Sequence, residues 1–93
     1  MRVAALTVEL HIPYAQSLKD KRMVLRRIKD RLQKFNVSVS EVEHQDLWQR
    51  ATLAIVAVST TTLHVEQELE AAASEIERIE PGALSRREID FLT

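Results

Sequence analysis

LAIVAVSTTTLHVEQELE, residues 53–70, changes its period in the middle. From Leu53 to Val58 every residue is apolar and half are β-branched, so both faces of an extended segment suit burial, which marks a central strand. Thr60 to Thr62 then offer hydroxyls for a helix N-cap. From Val65 the apolar groups fall at helical spacing: Val65, Leu69, Ala72, Ile76 and Ile79 form an inward stripe, while Glu66, Glu70, Glu75, Glu77 and Glu80 keep the outer side acidic. Pro81 and Gly82 stop that helix.

Working outward, Arg2 to Ile12 alternates, with Ala4, Leu6, Val8, Leu10 and Ile12 on one side, as in a strand with one strongly apolar face. Ser17 with Asp20 three residues on resembles a capping box, and Leu18, Val24, Leu25, Ile28, Leu32 and Phe35 define a helix from Leu18 to about Phe35. Asn36 can break it. Val37 to Glu43 reads as another strand, and Ile89 and Phe91 alternate with Glu88 and Asp90 in a short last one. The order βαββαβ predicts an α+β, ferredoxin-like fold: one four-stranded antiparallel sheet in the order 4-1-3-2, with two helices on one face. Ninety-three residues suffice for one domain, expected to span 1–93.

Composition narrows the chemistry. No cysteine is present, so a disulfide scaffold, a thiolate metal site and a cysteine nucleophile are excluded. Gly82 is the only glycine, and neither a P-loop nor a dinucleotide fingerprint can be written. With neither a long apolar span nor a signal-peptide pattern, a cytoplasmic protein without a membrane partner is expected. The net charge of −1 conceals segregation. Residues 19–34 hold eight basic groups against Asp20 and Asp30, a net +6, which leaves −7 on the remainder.

On a helical wheel Lys19, Arg22, Arg26 and Lys29 share one flank within about 80°, a strip suited to a phosphate backbone or to plain solvation. Asp30 answers Arg26 at helical spacing. Lys21 falls in the apolar stripe instead, where its stem lies along the core and its ammonium is aimed toward the turn that follows residue 43. That turn contains His44, Gln45, Asp46, Trp48, Gln49 and Arg50. Trp48 is most simply an apolar plug closing the end of the core, its indole N–H bonded to a nearby amide; the alternative is a stacking platform flanked by Gln45, Gln49 and Arg50. Asp46 is placed to pair with Arg50, Lys21 or Arg22. Because parallel strands 1 and 2 end at the same pole, the cationic start of the first helix, Tyr14 and this turn are expected at one rim. Whether the chain turns at His44 or nearer Leu47 decides the orientation of Trp48.

Other sites are less well supported. His11, His44 and Asp46 contain the residue types of a two-histidine-one-carboxylate metal set, but strand 3 separates the two histidines by about 10 Å. Ser17 serves better as an N-cap than as a nucleophile, His64 belongs on the surface, and the carboxylates cluster on a solvated helix face. No catalytic residue, metal or cofactor is assigned, and the chain reads as a binder and not an enzyme.

ELHIPYAQSLKDKRMVL (residues 9–25) and NVSVSEVEHQDLWQRATLAIVAVS (36–59) resemble the two signature regions of the YlxP-like family of small uncharacterised bacterial proteins. The resemblance covers residues 3 to 70 and becomes general from about Ala71. It implies a ferredoxin-like fold, no established activity, and genes that often stand near those of translation initiation and ribosome maturation factors. The expected function is a module binding RNA or ribosomal particles through the basic flank and the adjacent turn. The alternative is a self-associating structural or regulatory homodimer, because Val3, Ala5, Ala54, Val56 and Val58 leave the open sheet face apolar.

Overall fold

The alternating segment at the start of the chain forms β1 (Arg2–His11) in a computed structural model that describes residues 1–93. It is followed by α1 (Leu18–Leu32), β2 (Val37–Glu43), β3 (Arg50–Ser59), α2 (Thr62–Ile79) and β4 (Leu84–Phe91). The strands lie in the order β2-β3-β1-β4, all antiparallel to their neighbours, which is the expected ferredoxin-like order read from the other edge. Ala4, Leu6 and Val8 of β1 face Ala57, Ile55 and Leu53 of β3, all buried toward the helices. α1 lays Val24, Leu25, Ile28 and Leu32 on them, and α2 adds Val65, Leu69, Ala72, Ala73 and Ile76. Each fully buried Leu or Ile contributes about 1.5–3 kcal/mol, so packing alone can hold a chain without cysteines.

The caps fall where the hydroxyls are. Ser17 Oγ accepts from the Asp20 amide (3.1 Å), and Asp20 returns the favour one residue early by accepting from the Gln16 amide (2.9 Å). Thr61 Oγ1 accepts from His64 N (3.2 Å). α1 stops three residues short of Phe35: Lys34 and Phe35 donate to Arg31 and Leu32, tightening the chain into a three-residue turn where no glycine offers a left-handed cap. β4 is longer than the alternation at its end foretells. Arg87 occupies a helix-facing position opposite Val8, where its guanidinium reaches the Glu70 carboxylate of α2 (2.7 Å). A paired arginine replaces an apolar residue there and hides the period.

The turn question has a definite answer. His44 adopts φ 64°, a left-handed conformation unusual for a residue with a side chain, and Leu47 N closes the turn onto His44 O (3.1 Å). Nearby backbone bonds gather the remaining segments at this pole: Ile12 N donates to Gln49 O (2.9 Å) and His11 N to Ala83 O (2.8 Å). The exit of β1, the first turn of α1, the β2–β3 loop and the α2–β4 link therefore meet at one end of the sheet.

Candidate nucleic-acid interface

Lys21 organises this end. Its side chain is 1% exposed, and its Nζ lies 2.9 Å from Glu41 Oε2, 2.8 Å from His44 O, and 3.3 Å from both Gln45 O and Arg50 O. An ammonium has three N–H donors, and every one of them is used on the loop and its flanking strand. The sequence also counts Lys21 with Lys19 and Arg22 as an anion-binding group at the first turn of α1; its donors are spent instead on the loop, which it pins to that helix. Gln49 acts in the same way from the other side, donating through Nε2 to Pro13 O (3.1 Å) and Ala15 O (3.2 Å). His44 bends back over the sheet, with Nδ1 2.9 Å from Thr52 Oγ1.

His44 and Gln49 are used for anchoring, and the apolar residues of the loop are displayed. Trp48 is 52% exposed and Leu47 41%. The plug reading of Trp48 is therefore corrected: Ile12 and Ala15, both fully buried, together with Ala83 and the Lys21 stem, already close the core at this pole. The indole N–H has no partner. A groove of about 340 Å³ lies beside the ring, lined by His11, Leu47, Trp48, Gln49 and Arg50. His11 and Arg50 are cross-strand partners, and Arg50 pairs with Glu9 (3.2 Å) on the side of the sheet that carries no helix. Asp46 pairs with none of the three alternatives: Lys21 is taken by Glu41, Arg50 by Glu9, and Arg22 stays free.

On α1, Lys19, Arg22, Arg26 and Lys29 form no ion pair. Asp30 leaves Arg26 unpaired as well, contrary to the expectation from spacing. Arg22, Arg26 and Lys29 border a depression that runs alongside Gln33 toward Glu41 at the edge strand β2. The opposite flank of the same helix is neutralised: Arg27 binds Glu80, and Arg31 stands 4.0 Å from Glu75. Tyr14 belongs to that second flank, its hydroxyl donating to Glu80 Oε1 (2.7 Å), so it stands apart from the strip.

The twelve residues singled out from the sequence therefore separate into a free cationic strip, a buried pin, a displayed aromatic loop, and a tyrosine on the far flank. Glu41 and Thr52 were missed, and Glu80, read as an outer acid of the second helix, is instead buried against Tyr14 and Arg27. Glu41 had left a signal, since an acid at an inward position of β2 and a lysine in the apolar stripe of α1 are each unexplained alone and compensate as a pair. His11, weighed only as a metal ligand, lines the groove, and no three His, Asp or Glu side chains converge. No helix is long and apolar enough to cross a membrane.

Similarity to known proteins shows the family and the fold and assigns no activity. A curated relative, the uncharacterised protein YlxP of Bacillus subtilis (strain 168), is 54% identical over 57 residues, which is 60% of this chain and 62% of the relative's length. Two solved structures share the fold. The de novo designed protein Foldit4 aligns over 99% of this chain and 96% of its own at TM-score 0.56 and 14% identity. A C-terminal segment of the alpha subunit of aIF2 from Pyrococcus abyssi aligns over 97% of this chain and 49% of its own, at TM-score 0.54 and 24% identity. A family model described as a protein of unknown function (DUF503) matches residues 3–88, and the chain belongs to that family.

Proposed function

We propose that this protein is a non-catalytic module that binds RNA, in ribosomal particles or alone, through the free cationic strip of α1 and the loop pinned against that helix. The observation that carries this reading is the contrast between the two flanks of α1. Arg27 and Arg31 are matched by Glu80 at the C-cap of α2 and Glu75 within it, whereas Lys19, Arg22, Arg26 and Lys29 are left uncompensated. Four uncompensated cations over three helical turns suit a phosphate backbone, and the gene context implied by the family resemblance makes ribosomal RNA the first probe.

Four phosphate contacts predict that log affinity for a single strand falls with log salt at a slope of about −3. Charge reversal by Arg22→Glu with Arg26→Glu should abolish retention at low salt without shifting the melting temperature, because both side chains are exposed. Equal binding by wild type and double variant would sink the proposal.

A second reading rests on a separate observation. Val58 is 46% exposed and lies with Val3, Ala5, Ala54 and Val56 on the helix-free face, so a second copy could cover an apolar stripe by sheet-to-sheet packing. Light scattering after size exclusion separates this homodimer from a monomer.

A further inference from the structure

We infer that the groove between Trp48 and His11 is a seat for one unpaired RNA base, so that the ligand class is RNA with a single-stranded end or loop and not a continuous duplex. This inference rests on the proposed RNA-binding role of α1 and adds a second contact to it. The two features face different ways. The cationic strip lies on the helix layer beside β2, whereas the groove, bordered by the His11–Arg50 pair, opens on the helix-free side of the sheet. Between them lies only the rim of the loop: Lys21, next to Arg22, holds Gln45 O, and Gln45 is three residues from Trp48, at most about 10 Å of chain. A stiff duplex following the strip passes the rim. A flexible strand can turn over it and lay a base on the indole.

The lining favours a base over a phosphate. Arg50, the arginine of the lining, is held by Glu9, and Asp46 two residues from Trp48 has no cation beside it, so the groove offers a phosphate no free partner while the strip does. Trp48 and Leu47 supply the exposed apolar surface for stacking. The Gln49 amide nitrogen is committed to Pro13 O and Ala15 O, which fixes the side chain and leaves Oε1 to accept from a base N–H. The volume of about 340 Å³ lies near the lower end of ligand pockets, which run from about 300 Å³ upward, and suits one planar ring system. The seat is also preformed. The Lys21 and Gln49 anchors hold the loop before any ligand arrives, so the ring is not ordered at the ligand's expense.

Trp48 is the only tryptophan, so its emission reports on the groove alone. The full-length chain is titrated at low salt with a blunt RNA duplex and with the same duplex carrying an unpaired tail, following fluorescence anisotropy and Trp48 emission. The tailed duplex should bind about tenfold more tightly and quench the emission, while the blunt one binds without quenching. Trp48→Ala should erase the difference between the two probes, and Trp48→Phe should keep most of it. Equal affinities with unchanged emission would overturn the base seat and leave strip binding standing. Failure of both probes to bind at low salt, or binding of both that Arg22→Glu with Arg26→Glu leaves unchanged, would remove the RNA-binding reading and the seat together.

Discussion

A lysine whose stem runs through a core must find acceptors for three N–H groups, and Lys21 finds one carboxylate and three backbone carbonyls. Removing the ammonium would leave Glu41, which keeps only partial access to water, without its ion-pair partner, and the carbonyls of His44, Gln45 and Arg50 without their shared donor. Lys21→Met should cost about 3 kcal/mol in denaturant unfolding, the low end for breaking a buried ion pair, and should speed amide exchange from Gln45 to Arg50. An unchanged midpoint would show that the pin is dispensable. Tyr14 gives a second residue-scale test. Burial pushes its hydroxyl above the ordinary value of 10.0, the Glu80 hydrogen bond and charge add to this, and Arg27 partly opposes them. A value raised in the folded state means that the contact stabilises fully below about pH 10 and is lost as pH climbs through the folded value. Absorbance titration of this single tyrosine should give a midpoint above that of a free tyrosine peptide, and Glu80→Gln should bring it part of the way back.

At the scale of elements, the caps and stripes were legible because each depends on a local rule. Thr61 should be worth about 1 kcal/mol to α2, measurable as the loss on Thr61→Ala in thermal unfolding. β1, β2, β3 and both helices could be placed from periodicity, and the strand order followed from connectivity. Where the reading fell short, a charged pair had replaced an apolar contact. Arg87 with Glu70 shortened the apparent β4, and Lys21 with Glu41 concealed what holds the loop. The orientation of Trp48 was out of reach for another reason: it depends on the left-handed turn at His44, on a register shift between Glu41 and Glu43, and on a core end already filled by Ile12 and Ala15. Those facts are set by tertiary packing, and no window of sequence around residue 48 contains them.

For the whole molecule, charge is sorted across the two-layer body. The free flank of α1 beside β2 is cationic and the exposed side of α2 is acidic, while the other flank of α1 is neutralised between them by the bridges from Arg27 to Glu80 and Arg31 to Glu75. A protein of net charge −1 should therefore be held by a phosphate-bearing resin at low salt and released well below the salt needed for a uniformly basic protein. The uncovered sheet face makes an independent prediction. If two copies pack there, Val58→Glu should convert the dimer to a monomer in light scattering while the melting curve stays cooperative. A monomeric wild type at high micromolar concentration would end that reading. The mooring of the loop has one more consequence. Lys21 grips oxygens of the main chain at positions 44, 45 and 50, groups that every amino acid supplies, so the tether is indifferent to most of what the loop exhibits. Positions 45 to 48 could be randomised as a library and still yield folded members, which makes this rim an interchangeable head on a fixed mount.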